Sequence, residues 1–140
     1  MTGVTAAYKA LVVQFLKFGV IGVIGFGVDL AMFHVGFDLL GFGHYWSSYF
    51  SFPFAVTATW IGNRLFTFLG QNSGPAHRQW ARFFAVCAVG FFLNRGTFSL
   101  LTYGVPLVYA YPVLGLLAGT GVAMFFNFFF ARKLVFKPEI

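Results

Sequence analysis

The chain has 140 residues, 59% of them hydrophobic and only 9% charged, with 22 phenylalanines and a formal net charge of +6. Soluble domains carry roughly 25% charged residues, so this composition excludes a soluble globular protein and points to an integral membrane protein. The positive excess is distributed as a membrane-orienting signal and not as a nucleic-acid surface, and the single Cys87 cannot close an intrachain disulfide.

In chain order, Met1–Val13 is a short, weakly amphipathic lead containing Lys9. The first span, Phe15–Leu40, is too long for a signal-peptide core and lacks a small-residue cleavage site after it, so it is expected to be retained. Gly41–Trp46 is a tight turn with aromatic edges, as membrane interfaces favour. A second span covers Ser47–Phe68, with Pro53 placed to kink it. The polar loop Gly70–Gln79 follows, then a third span, Trp80–Tyr103, a turn at Gly104–Pro112 and a fourth span, Val113–Val135, ending in Phe136-Lys137-Pro138. The fold class is therefore an all-α integral membrane domain of four transmembrane helices, a single domain over residues 1–140.

Lys9, Lys17, Arg64, Arg78, Arg82, Arg132, Lys133 and Lys137 fall at the N-terminus, the middle loop or the C-terminus, whereas the other two turns have no Lys or Arg. That asymmetry predicts cytoplasmic termini and a cytoplasmic middle loop. The chain also reads as an internal repeat. A shift of 65 lays Gln14 on Gln79, Lys17 on Arg82, Phe18 on Phe83, Gly25 on Gly90, Asp29 on Asn94 and Phe33 on Phe98. A shift of 68 lays Ala55 on Ala123, Thr59 on Asn127, Arg64 on Arg132 and Phe68 on Phe136. Each unit, about 14–68 and about 80–136, is a two-helix hairpin, so the two copies share one orientation, as parallel repeats do.

Asp29 lies twelve positions beyond Lys17, about 18 Å deeper at 1.5 Å per residue, at or just past the middle of a bilayer core of roughly 30 Å. A carboxylate there costs on the order of 2.5–3.5 kcal/mol, so it must be neutral, paired or facing water. Arg95 matches its depth within about one turn, with Asn94 beside it. Two readings stay open: a structural ion pair, or a substrate or proton site at the midplane. Small and polar residues recur every fourth position on the even helices: Ser47, Ser51, Ala55, Thr59, Asn63, and then Gly115, Gly119, Ala123, Asn127, Ala131. These faces serve either close helix packing or a polar seam that widens towards the cytoplasm at Thr59, Asn63 and Asn127. His34, His44 and His77 have no metal-ligand spacing, no phosphate-binding GxxxxGK[ST] run exists, and no nucleophile-base pair or paired carboxylates stand out. Neither an enzyme, a metal site nor a cofactor is expected.

The run QFLKFGVIGVIGFGVDLAMF, the endings NRLFTF and NFFFARKLVF and the basic-inside four-helix layout together resemble the GtrA-like family of small bacterial membrane proteins, over about Gln14 to Phe136. One departure is that the second span has Asn63-Arg64 where the fourth has Ala131-Arg132. The resemblance implies a multi-pass protein of the bacterial cytoplasmic membrane that flips a polyprenyl-phosphate-linked monosaccharide for cell-surface polysaccharide synthesis, beside a polyprenyl-phosphate glycosyltransferase. Such a cargo needs cations for its phosphate, hydrogen bonds for its sugar and a lipid-open side for its tail. Lys17, Arg64, Arg82 and Arg132 at the inner interface meet the first need, since guanidinium grips phosphate bidentately. Thr59, Asn63, Asn94 and Asn127 meet the second, and Arg95 with Asp29 offers a phosphate station at mid-depth. Four helices barely enclose such a path, so a homodimer in contact with membrane lipids is expected. The alternatives are a non-transporting scaffold for a glycosyltransferase and a small proton-coupled multidrug-type transporter.

Overall fold

The computed structural model of the protein describes residues 2–71 and 74–137. Residues 72–73 of the expected polar loop and Pro138 lie outside the described residues. Every regular element among the described residues is helical. Helix α1 covers Thr2–His34 and runs on into a widened turn, Val35–Leu39; α2 covers His44–Gly62 and ends the same way over Asn63–Thr67. Helix α3 covers Ala76–Gly104, α4 is the short Pro106–Ala110, and α5 covers Pro112–Phe130 before a third widened turn, Ala131–Val135.

Several boundaries differ from those read in the sequence, each for a local reason. The expected lead is helical from Thr2, because its Ala, Leu and Lys residues are strong helix formers and nothing after Gly3 interrupts them. Pro75 adopts an extended conformation and its carbonyl accepts from the amides of Arg78 and Gln79, so the third helix starts within the expected loop. Gly41, at φ +71, turns the chain into α2. Pro106, which needs no amide partner at the first position of a helix, nucleates α4 inside the expected Gly104–Pro112 turn. Pro53 sits inside α2 without ending it, and the Thr57 hydroxyl donates to its carbonyl at 2.7 Å.

By length and composition, three stretches can cross a membrane: Thr2–Leu39, Ala76–Gly104 and Pro112–Val135. Helix α2 is not among them, because Ser47, Ser48, Ser51, Thr57 and Thr59 dilute its apolar content. It packs along α1, while α5 packs along α3; the two pairs meet more sparingly, through α2 against α3 and α1 against α5.

The interior is graded. Through most of its depth it is built of small residues, with Gly25, Ser51, Gly90, Gly119 and Ala123 buried and Val20, Val23, Leu116 and Phe125 turned outwards. Such faces let helix backbones approach closely, which lipid-embedded helices need in place of a hydrophobic drive. At the end that carries most of the basic residues, the interior becomes aromatic: Phe68, Phe83, Phe128 and Phe136 are almost wholly buried. Residues matched by the 65- and 68-residue shifts meet there in matching ways. Phe18 packs edge-on to Phe68 at 6.3 Å and Phe83 edge-on to Phe136 at 5.9 Å, while Phe68 and Phe136 stack on each other at 4.6 Å, 7° from parallel. The widened turns aim both stacked rings inward, through five-residue-spaced hydrogen bonds from Phe68 to Asn63 and from Phe136 to Ala131, both 2.8 Å.

Candidate functional site

Above the aromatic cluster, where α1, α2, α3 and α5 come together, lies a cleft of about 330 Å3. Five of the ten sequence-derived candidates line it: Asp29 from α1, Thr59 from α2, Asn94 and Arg95 from α3, and Asn127 from α5. Each helix delivers its polar group because a partner helix is small at the facing position. A side chain at Gly25 would collide with the Thr59 methyl, and one at Gly90 would collide with the Asn127 amide. Gly119 admits Asn94 in the same way, with its carbonyl 2.7 Å from where a Cβ would stand. The small-residue faces of α2 and α5 therefore serve packing at Ser47, Ser51, Gly115 and Gly119, and open into the cleft at Ala55, Thr59, Ala123 and Asn127.

Asp29 accepts a 2.7 Å hydrogen bond from the Ser51 hydroxyl. It does not pair with Arg95: among the described residues the one carboxylate–base contact is His34 Nδ1 to Asp38 Oδ2, 2.9 Å, at the far end of α1. Arg95 instead places its guanidinium over the Phe91 ring, 5.4 Å from the centroid, and its five N–H donors make no hydrogen bond among the described residues. Thr59 donates to its own helix, to the carbonyls of Ala55 and Val56, which leaves its oxygen as an acceptor. The Oδ1 of Asn127 is buried without a hydrogen-bond partner among the described residues. The cleft thus combines a cation, a carboxylate and two amides with unused hydrogen-bonding capacity, which suits an anionic, hydroxyl-rich ligand.

The other five candidates lie elsewhere. Asn63 is buried and accepts from the Thr67 hydroxyl at 2.7 Å inside the widened turn. Arg64 donates to Gln79 Oε1 at 2.7 Å and lies over the Trp60 ring; Trp60 Nε1 donates to the same oxygen at 3.1 Å. Lys17, Arg82 and Arg132 are exposed, and Arg132 borders a surface hollow with Gln71, Phe129 and Lys133. The aromatic cluster lies between this basic end and the cleft.

A second hollow, about 470 Å3, opens between α2 and α3 and is lined mainly by rings, among them Tyr45, Tyr49, Phe84 and Phe92. Ser48, Phe52, Phe91 and Arg95 border both it and the cleft. Sequence reasoning missed this groove, the Ser51 donor and the Gln79 node. Gln79 carried a signal, its match to Gln14, which itself reaches the Thr67 carbonyl at 3.4 Å.

The glycine contacts make a direct prediction. Alanine ordinarily improves a helix over glycine by roughly 0.5–1 kcal/mol, but at Gly90 the new Cβ must evict the Asn127 amide. Gly90→Ala should lower thermal stability in detergent by about 1–3 kcal/mol, as overpacking does. Adding Asn127→Ala should restore it, and Gly96→Ala, which meets open space, should cost nothing.

The sequence profile of the GtrA/DPMS transmembrane domain matches residues 17–136. No curated protein matches the chain. The matched region covers α1 from Lys17 onwards, the other long helices in full and every residue of the cleft. The chain is a multi-pass membrane protein belonging to the GtrA/DPMS transmembrane-domain family.

Proposed function

We propose that the protein carries a polyprenyl-phosphate-linked monosaccharide across the bacterial cytoplasmic membrane, sugar and phosphate passing through the cleft while the tail stays in lipid. The observation that carries this reading is the meeting of Asp29, Asn94, Arg95 and Asn127 in one cleft. The amides offer hydrogen bonds to sugar hydroxyls, and the unspent guanidinium offers a fork for phosphate. Family membership supports the same class of cargo. The Asp29 carboxylate, held by Ser51 in the structure, lines the same cleft and competes with bound phosphate for the Arg95 guanidinium, which promotes release. A cationic drug would meet Arg95 in the same cleft, which disfavours a multidrug transporter.

On this reading α2 crosses the membrane with the other three long helices, as one of two equivalent hairpins, with both termini in the cytoplasm. The basic residues Lys17, Arg64, Arg82 and Arg132 collect lipid phosphate at the inner surface, and the Phe68–Phe136 stack is the inner closure that must part for entry. No covalent chemistry is involved; flow follows the lipid or a proton gradient, and a membrane glycosyltransferase supplies the cargo. Because four helices barely enclose such a path, the working unit on this reading is a homodimer.

Reporter fusions after Gln71 and at both termini should all read cytoplasmic; a periplasmic signal after Gln71 would eliminate the four-crossing arrangement. Translocation itself is measured with a labelled polyprenyl-phosphate sugar in liposomes containing only this protein. Asn94→Leu with Asn127→Leu removes two hydrogen bonds of about 1 kcal/mol each, and should slow transfer on the order of thirtyfold. Liposomes in which the unaltered protein moves no lipid would contradict the reading and favour a scaffold for the glycosyltransferase.

A further inference from the structure

The two sides on which the helix pairs meet are not equivalent. Under the shifts that relate the halves, the α2–α3 side corresponds to the α5–α1 side. Tyr45, Tyr49, Phe84, Phe92 and Arg95 then fall on Val113, Leu117, Gly19, Gly27 and Leu30. The α2–α3 side has an aromatic groove, about 470 Å3, and the Arg95 guanidinium stands at the boundary between groove and cleft, where the matched position on the other side is Leu30. The Arg95 side chain lies over Phe91, a residue that borders both hollows, so one end of a ligand held by Arg95 reaches polar groups while the other reaches rings.

We infer that the α2–α3 groove is a lipid-tail site, through which the isoprenoid chain of a polyprenyl phosphate leaves sideways while Arg95 holds its phosphate. The inference rests on the cargo proposed above and adds the side of exit, which the near-symmetry of the halves leaves open. Charge and shape single out the occupant. The groove is apolar except at one end, and that end carries a cation with no carboxylate partner among the described residues, as an anionic head with a long apolar tail requires. Tyr45 and Tyr49 lie at the start of α2, by the turn that carries no basic residue, where ring hydroxyls suit an interface. At the positions that match the groove, the α5–α1 side carries aliphatic residues and glycines with no cation, and its rings are spent on each other, Phe15 stacking on Phe125 at 5.0 Å, so it presents a surface for bulk lipid but no headgroup station.

The test uses the full chain in nanodiscs and a polyprenyl phosphate carrying a photoreactive group in its tail, with adducts mapped by mass spectrometry. Adducts should concentrate on Tyr49, Phe84 and Phe92. Arg95→Leu, which copies Leu30, should reduce them about tenfold by removing the charge-assisted bonds, and Arg95→Lys should recover part of the loss. Tyr49→Leu with Phe92→Leu provides a second lesion that leaves the cation in place, and should move adducts off α2 and α3. Equal labelling at Leu116 and Leu117 would overturn the assignment, as would full displacement by an equal amount of phosphatidylglycerol, which would make the occupant an ordinary phospholipid. Labelling is scored apart from transfer. Groove adducts without translocation keep the tail site and remove flipping, whereas translocation with no groove adducts removes the tail site and keeps flipping.

Discussion

Two contacts decide the geometry of this protein: Thr59 seated against Gly25, and Asn127 seated against Gly90. Lipid gives apolar helices no reason to associate, so each helix pair must gain its stability from close backbone approach. The missing Cβ atoms at 25 and 90 permit that approach at the depth where the partner helix carries a polar side chain. The result is that Thr59 and Asn127 stand at the edge of a cleft instead of being excluded from the interior. Asp29 and Asn94 lie one helical turn farther on, where Ser51 and Gly119 leave them room.

The gradient from small to aromatic interior follows from the same constraint. Where glycine, serine and alanine line the contact, the helices are close and the remaining space is polar. Towards the basic end the helices are spaced by phenylalanine, and the Phe68–Phe136 stack fills the space between the halves. Aromatic pairs of this kind add roughly 0.5–1.5 kcal/mol beyond their burial, so the stack is firm yet formed by only a few rings. A transport cycle that parts them gives up contacts of modest size and none of the glycine-seated polar positions.

Helix existence was legible in the sequence because membrane spans are set by apolar length, and the 65-residue shift that lays Gly25 on Gly90 and Asp29 on Asn94 marked two positions that line the same cleft. Five of the candidate residues meet in that cleft. Arg64 was chosen as part of the basic inner rim and Asn63 as part of the polar seam, but their partners, Gln79 and Thr67, depend on the widened turn after α2, which no periodicity signals. The same limit applies to Asp29. Depth put Arg95 opposite it, whereas rotation about the helix axis decides that Ser51 reaches the carboxylate and Arg95 lies over Phe91. The aromatic groove was hidden because nothing in the spacing of Tyr45, Tyr49, Phe84 and Phe92 along two separate helices shows that packing brings them to one side.

The central claim is that the cleft is a polar chamber for a sugar-bearing lipid headgroup. It is tested most directly by thiol accessibility in liposomes, with Thr59→Cys and Asn94→Cys placed singly in a Cys87→Ser background. The account predicts that a membrane-impermeant thiol reagent modifies both positions, and that a polyprenyl-phosphate-linked sugar slows both reactions while free sugar does not. Two unreactive thiols, or reactivity that the lipid-linked sugar leaves unchanged, would contradict it.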